Sequence, residues 1–264
     1  MVKEERRSLR SVQDEVYSAL RTNILNLNLA PGTVISETEI SLKFQVSRTP
    51  VREAFIHLSK EGLVEVIPQK ETLVSFIDLT RVEQEFFLRE SLETAVLEPF
   101  LMNNGKRYFG ELENLIALQG DALKGKSYVD FINYDDQFHE IFFEAASQFL
   151  SWVVLNSMCG HYHRVRMLTV LMAGIADSKV REHRKILTAL KKGDLVKAKK
   201  LLYLHLHNLD AEEKLLRKQF PGYFVSDAAQ NKFDVDFGGL SLMNRDGRTR
   251  ISGNGKIRKS KKSV

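Results

Sequence analysis

Three side chains in the second half of the chain are of types that bind divalent metal ions. Asp135 and His139 lie four residues apart in the segment DDQFHEIFFEA, so they share one face of a predicted helix. A carboxylate and an imidazole on one helix face commonly provide the first two ligands of a metal site. A third candidate, His183, lies in the segment REHRKIL on another predicted helix. These residues predict a metal site between helices.

The segment LLYLHLHNL offers His205 and His207 as a fourth ligand. Only one of them can face the interior, because a step of two residues turns a helix by about 200°. His205 lies four residues from both Leu201 and Leu209, so it belongs to the inward apolar face. The alternative is that the histidines are separate, hydrogen-bonded or exposed residues. That interpretation applies to His57, His161, His163 and His207, although His161 and His163 could still line a cavity.

Two arginines in the N-terminal segment VSRTPVREAF have the spacing of a DNA-reading helix. Arg48 and Arg52 lie one helical turn apart, and arginine pairs through two hydrogen bonds with guanine O6 and N7. Thr49 could contact a phosphate or a thymine methyl group, and Lys70 could contact a phosphate. The alternative is a solvated basic face, in which Arg52 pairs with Glu53 or another carboxylate.

The elements before residue 79 have the order of a winged helix-turn-helix. The predicted helices are residues 9–26, 36–44 and 47–62. Ser36 and Ser47 stand at N-cap positions, and Gly62 stands where a helix often ends. The segments LVEVIP and TLVSFI have the composition of paired strands. The sequence therefore predicts a DNA-binding domain in residues 1–78.

From residue 79 onward the pattern changes to long helices without strand signals. The predicted helices are residues 80–102, 107–124, 127–147, 149–172, 176–192 and 194–218. We interpret residues 79–225 as an all-α bundle. Residues 226–264 are rich in Gly, Asn and Lys and show little periodicity, so we predict that this tail is disordered.

The net charge of +5 comes from the end of this tail. Residues 244–264 carry a net charge of +7, whereas the rest of the chain carries −2. DNA binding must therefore be argued from placed residues and not from total charge. The single cysteine, the polar N-terminus and the lack of a long apolar stretch predict a cytoplasmic protein without a membrane segment.

The segment LAPGTVISETEISLKFQVSRTPVREAFIHLSKEGLVEVIPQKETLVS closely resembles the winged helix-turn-helix of the GntR family of bacterial transcription regulators. The resemblance implies DNA contacts by Thr38, Arg48, Thr49, Arg52 and Lys70. The arginines would read bases or the groove floor, the threonines would contact the backbone, and the lysine would lie in the groove beside the wing. The sequence departs from the family at Glu71, where a glycine is usual and where a carboxylate repels phosphate.

The second half resembles the FCD effector domain in the motifs R..LE, D..FH, EH..I..A...GD...A.......H and FPGYF. This resemblance implies that residues 79–225 bind an effector and dimerise. It also implies a bundle of six or seven helices with four metal ligands, Asp135, His139, His183 and His205. Such a set favours zinc, with nickel or manganese as alternatives.

The same resemblance implies a small carboxylic acid effector bound beside the metal. Arg89 could clamp its carboxylate through two hydrogen bonds. Alternatively, Arg89 pairs with Glu93 on its own helix. Arg164 and Arg166 are further candidates for the effector contact.

Together these features predict a mainly α, metabolite-responsive transcriptional regulator that binds double-stranded DNA as a homodimer on a palindromic operator. No catalytic residue is predicted, because we find no general-base motif, nucleophile elbow or phosphate loop. Two alternatives remain open. One is a metal-dependent hydrolytic enzyme whose metal activates water, and the other is a regulator with a purely structural metal.

Overall fold

The computed structural model describes residues 11–67, 71–172, 175–207 and 209–226, without the side chains of 209–213. Three N-terminal helices with a small sheet precede a larger helical bundle, which confirms the predicted fold class. Within the described ranges, no helix has the length and hydropathy needed to cross a membrane. The tail predicted to be disordered lies outside the described residues apart from Ser226.

Three helices and three strands form the N-terminal half. They are α1 (Val12–Leu25), β1 (Val34–Ile35), α2 (Glu37–Phe44), α3 (Arg48–Lys60), β2 (Val64–Ile67) and β3 (Glu71–Val74). The strands form an antiparallel sheet in the order β1-β3-β2, with Val34 opposite Leu73 and Val64 opposite Val74. The β2–β3 hairpin is the predicted wing. Strand β1 is too short to produce a periodic signal, so the sequence does not predict it.

The predicted capping residues lie at the helix ends, but one of them makes no capping bond. Ser36 Oγ accepts the amide hydrogen of Glu39 at 3.1 Å. Gly62 follows α3 with φ of +73°, a left-handed conformation that favours glycine. Ser47 occupies the N-cap position of α3, yet its hydroxyl makes no capping hydrogen bond. The first amides of α3 therefore lack that side-chain acceptor.

A hydrophobic cluster between α1 and α3 stabilises this half. Val16, Leu20 and Ile24 recur every four residues along α1 and are buried. They belong to one cluster with Val51 and Phe55 of α3. Burial of each such side chain contributes about 1.5–3 kcal/mol. This packing leaves the opposite face of α3 in solvent.

Eight α-helices form the described bundle, whereas the resemblance implied six or seven. They are α4 (Leu79–Met102), α5 (Phe109–Lys124), α6 (Tyr128–Ala145), α7 (Phe149–Met158), α8 (Gly160–Val170), α9 (Ile175–Lys191), α10 (Leu195–Leu206) and α11 (Leu209–Gln219). A short 3₁₀ turn, Gly105–Tyr108, precedes α5. The structure corrects two predicted helices, because residues 149–172 and residues 194–218 are each divided.

The first division follows from close packing against the N-terminal half. Cys159 leaves the helical region with φ of −99° and ψ of 42°, and α8 begins at the next residue. A Cβ atom added to Gly160 would lie 2.7 Å from Leu63 Cδ2, so α8 begins in direct contact with the residue before β2. The second division follows α10, where the His207 ring stacks on Tyr203 with centroids 3.8 Å apart.

The C-terminal end of the described chain packs beside the connection between the two halves. The Ile77 amide donates to the Tyr223 carbonyl at 2.8 Å, and the Val225 amide donates to the Ile77 carbonyl at 3.0 Å. The described residues up to Val225 form one compact unit. It contains two separate clusters of buried hydrophobic residues, one in each half. The exact domain boundary after residue 78 stays a prediction.

Candidate metal centre and DNA-facing surface

Three helices of the bundle bring the four predicted metal ligands together. Helix α6 carries Asp135 and His139, α9 carries His183 and α10 carries His205, and all four are buried. One potential ligand atom from each residue lies within 4.8 Å of those of the others. The Nε2 atoms of His183 and His205 are 3.2 Å apart. Asp135 Oδ1 lies 3.5 Å from His183 Nε2.

Acceptors on neighbouring helices hold the outer nitrogens of two of these imidazoles. His183 Nδ1 lies 2.8 Å from Gln119 Oε1, and His205 Nδ1 lies 2.9 Å from Glu182 Oε2. Because these oxygens only accept, each Nδ1 carries the proton and each Nε2 directs its lone pair at the centre. Two lone pairs facing each other at 3.2 Å repel unless a cation lies between them.

The third imidazole has an unsatisfied inner nitrogen. His139 Nδ1 lies 2.6 Å from Glu93 Oε2, outside the angles of a regular hydrogen bond. His139 Nε2 is buried and has no hydrogen-bond partner among the described residues. Buried nitrogens of this kind are rare in folded proteins because desolvation without a partner is costly. A metal ion would supply the missing partner.

The electrostatics favour the protonation states that a metal requires. Burial, together with the neighbouring cationic groups, lowers the pKa of His183 to about 3. The pKa of His205 is also lowered, first by burial and then by His183. Burial alone would raise the pKa of Asp135, but Arg166 and the nearby histidines overcome it and lower that pKa. At neutral pH His183 and His205 are therefore neutral imidazoles and Asp135 is a carboxylate.

The spacing fits a metal ion. Zinc lies about 2.1 Å from a nitrogen ligand, so tetrahedral ligands are roughly 3.4 Å apart. The measured separations include 3.2 and 3.5 Å, and 4.0 Å between His139 Nε2 and Asp135 Oδ2. The residues present therefore suit a divalent metal.

A cavity open to solvent lies beside this centre. Asp135 and His205 contribute to its wall, together with Tyr162, Arg166 and Lys179. The Arg166 guanidinium donates to the carboxylate of Asp135 and, at 2.7 Å, to that of Asp136. The Lys179 ammonium donates to the His205 carbonyl at 2.7 Å. Two cationic side chains thus face the cavity beside the predicted ligands.

Arg89 lies behind the metal ligands and is not part of this cavity wall. Its Nε donates to Glu93, as the alternative interpretation expected, and its side chain is buried. Glu93 in turn contacts His139. The structure thus places Arg89 where it orients a predicted ligand through Glu93. The effector clamp at Arg89 stays a prediction.

Sequence reasoning missed the outer partners of the histidines. Gln119 lies on α5, far from His183 in the chain, and no pattern links the two positions. Glu182 is adjacent to His183 in sequence, but its carboxylate accepts a hydrogen bond from His205. The sequence named Glu93 only as a possible partner of Arg89 and not of His139.

The predicted DNA contacts lie at the surface of the N-terminal half. Thr38, Arg48 and Thr49 are exposed on α2 and α3. The Arg52 side chain is 67% exposed, and its Nε and Nη2 both donate to Glu37 at 2.9 Å. Arg52 thus pairs with a carboxylate, although not with Glu53. Lys70 lies outside the described residues, and Glu71 begins β3 in solvent.

Comparisons with known proteins agree with this architecture. The family model described as bacterial regulatory proteins, gntR family, matches residues 12–74, and that of the FCD domain matches residues 85–208. The chain is 30% identical over 216 residues to the HTH-type transcriptional repressor RspR of Escherichia coli K12, covering 82% of this chain and 95% of that protein. It is 33% identical over 220 residues to an HTH-type transcriptional regulator in an unstable DNA locus of Streptomyces ambofaciens, covering 83% and 92%.

Solved structures share the fold. Escherichia coli McbR/YncC aligns with a TM-score of 0.68 at 17% identity, covering 80% of this chain and all of that chain. A GntR-type regulator from Rhodococcus sp. RHA1 aligns with a TM-score of 0.60 at 22% identity, covering 77% and 97%. With an N-terminal winged helix-turn-helix and an FCD domain, the chain belongs to the GntR family of bacterial transcription regulators.

Proposed function

We propose that this regulator binds a palindromic operator as a homodimer and responds to a small carboxylic acid bound beside a divalent metal. The observation that carries the proposal is the buried set of one carboxylate and three imidazoles. Two of these imidazoles have their outer nitrogens held by acceptors, and the third has a buried inner nitrogen without a partner. Such an arrangement is costly without a cation at its centre.

The donor set favours zinc, with nickel or manganese as alternatives. Imidazole nitrogens and one carboxylate oxygen suit zinc in four-coordinate or five-coordinate sites. Asp135, His139, His183 and His205 would hold the ion. The bound metal would supply a positive charge that attracts a carboxylate. In this proposal the metal is part of effector recognition.

The cavity supports Arg166 and Lys179 as contacts for the effector carboxylate. Both line the cavity beside Asp135, whereas Arg89 does not. Arginine pairs with a carboxylate through two parallel hydrogen bonds, and lysine adds a point charge. A small acid would therefore contact these cations on one side and the metal on the other.

The exposed face of α3 supports operator binding. Arg48 and Thr49 lie in its first turn, which is the part of a recognition helix that reaches base edges. Arg52 follows one turn later. Its ion pair with Glu37 fixes the orientation of the guanidinium group before it enters the groove. Thr38 and Lys70 would contact the DNA backbone and the groove beside the wing.

An apolar face on α7 supports the homodimer. Five large apolar side chains on this ten-residue helix are 45–75% exposed, namely Phe149, Leu150, Val153, Val154 and Met158. A contiguous apolar patch of this kind commonly marks an interface. A second copy could cover it about a two-fold axis, which would match a palindromic operator. We expect Leu150→Lys to shift the dimer to monomer in light scattering, whereas Leu204→Lys, an exposed leucine on α10, should not.

Metal content and operator response test the whole proposal. Elemental analysis should find about one divalent ion per wild-type chain and none in the Asp135→Ala/His183→Ala variant. His207→Gln serves as the matched control, because this histidine lies two residues from His205 outside the cluster. An operator selected from random duplexes would then be titrated with and without Zn²⁺ and small acids. A metal-free wild type contradicts the site, and operator binding that ignores metal and acids favours a structural metal.

A further inference from the structure

We propose that α8 couples the cavity to the recognition helix α3, with His161 and Arg164 as the residues that position the end of α3. This inference rests on the proposed function and adds a route for its regulation. One side of α8 lies on the cavity, and another side binds the DNA-binding half. The contacts at each side are buried and specific.

On the cavity side, α8 contacts the predicted metal ligand Asp135 through Arg166. Tyr162, Arg166, Thr169 and Val170 line the cavity. The Arg166 guanidinium donates to Asp135 Oδ2, while Asp135 Oδ1 lies 3.5 Å from His183 Nε2 at the centre. A metal or an effector that binds the Asp135 carboxylate or displaces it must change the hydrogen bonds of Arg166. Occupancy of the cavity therefore acts on α8.

On the opposite side, His161 binds the end of the recognition helix. Its Nδ1 accepts the Asp78 amide hydrogen at 3.1 Å, so the ring proton resides on Nε2. His161 Nε2 then donates to the Gly62 carbonyl at 3.0 Å. Gly62 ends α3, and the His161 side chain is only 3% exposed. The imidazole thus connects α8 to both the end of α3 and the start of α4.

Arg164 binds the end of the wing in the same way. Its guanidinium donates to the Ser75 carbonyl at 2.6 Å and lies 3.2 Å from Ser75 Oγ. Ser75 Oγ donates to the Gly62 carbonyl at 2.6 Å, the same carbonyl that His161 binds. Arg164 is fully buried. One carbonyl at the end of α3 is therefore held by a network anchored on α8.

The helix between these contacts is short enough to move as one body. His161 and Arg166 are separated by five residues, or about 7.5 Å of helical rise. The Tyr162 amide is also bound by Glu85 at 2.8 Å, and Arg81 links Glu85 to the Glu61 carbonyl. A shift of α8 at the cavity therefore reaches the end of α3.

Reciprocal coupling between Zn²⁺ and operator DNA tests this route. The Kd of the full chain for Zn²⁺ would be measured by chelator competition, with and without a saturating operator duplex selected from random sequences. We expect the duplex to change the wild-type Kd by roughly 5–150-fold, the usual range of allosteric coupling. Arg164→Gln should bring this ratio close to one. Ser75→Ala removes the hydroxyl bond to the Gly62 carbonyl but keeps the bond from His161, so it should lower the ratio part of the way. Both variants should leave the Kd without DNA unchanged.

Two controls separate coupling from folding. Ser75→Ala leaves α8 intact and removes only the serine hydroxyl, so it remains informative if Arg164→Gln does not fold. Arg107→Gln changes an exposed arginine elsewhere on the bundle and should keep the wild-type ratio.

The outcomes distinguish this inference from the proposed function. If both variants keep the wild-type ratio of the Zn²⁺ Kd values with and without the duplex, the α8 route is overturned and the proposed function remains intact. A ratio of one in the wild type also overturns the route and indicates a structural metal. If the wild type binds no Zn²⁺ or selects no duplex, both the proposed function and the route fail.

Discussion

The DNA-facing surface and the candidate metal centre are built in opposite ways. Thr38, Arg48 and Thr49 are exposed on two consecutive helices, and the positions depend mainly on local structure. The metal centre is buried and takes its side chains from three helices, of which α6 is separated from α9 and α10 by two further helices. The surface can thus be changed without unfolding the chain, whereas the centre couples its chemistry to the packing of the bundle.

The largest expected effect tests the buried region of this comparison. Zn²⁺ at 1,000 times its Kd should stabilise the folded state by about 4 kcal/mol. For a domain of this size that is roughly 10 °C in the melting temperature. Differential scanning calorimetry with and without Zn²⁺ measures the shift. We expect none in Asp135→Ala/His183→Ala and the full shift in His207→Gln; an equal shift in the double variant would place the metal elsewhere.

The next effect tests the exposed region. Arg48→Ala should weaken binding to the selected operator by about 1–3 kcal/mol, because one bidentate base contact is lost. The melting temperature should not change, since the side chain is exposed. Fluorescence anisotropy at one fixed salt concentration measures the affinity. Unchanged discrimination between operator and random DNA would contradict the assigned role of Arg48.

A third substitution asks how far the buried centre extends. Gln119→Met removes the acceptor from His183 Nδ1 while keeping the side-chain volume similar. Loss of such an outer partner typically weakens metal binding about 10–100-fold. Chelator competition with Zn²⁺ measures this, and Gln84→Met on the exposed face of α4 is the matched control. If Gln119→Met binds Zn²⁺ like the wild type, the outer partners do not tune the site.

The smallest expected effect concerns the buried contact between the two regions. Burial and the adjacent Arg164 lower the pKa of His161 to about 3. Below pH 6.5 His161 is therefore protonated in the unfolded chain but not in the folded chain. The free energy of unfolding consequently falls as the pH decreases from about 6.5 to 3. Because of this residue, the free energy of unfolding should be about 1.4 kcal/mol lower at pH 5.5 than at pH 7.5.

Urea unfolding at pH 7.5 and 5.5 measures this contribution. His161→Gln should lose less stability than the wild type on acidification, because its share of the proton uptake is removed. His57→Gln changes an exposed histidine and should follow the wild type. Identical losses in all three proteins would show that His161 is readily protonated in the folded state.

Local patterns predicted much of both regions. Spacing and composition predicted the winged helix-turn-helix, the cap positions around α2 and α3 and the helical bundle. The four-residue spacing of Asp135 and His139 and the apolar face around His205 selected ligand candidates that the structure brings together. These signals work because a helix fixes which side chains share a face.

The tertiary structure decided what lies between elements. It divided the predicted helix 149–172 at Cys159, where α8 meets Leu63, and it paired Arg52 with Glu37 and Arg89 with Glu93. It also brought Gln119 to His183 and Arg166 to Asp135. Such contacts join positions far apart in the chain, and a single sequence carries no periodic signal for them. The sequence determined the types of the side chains and the helix face on which each one lies. Only the packing of the helices determined which side chains contact one another.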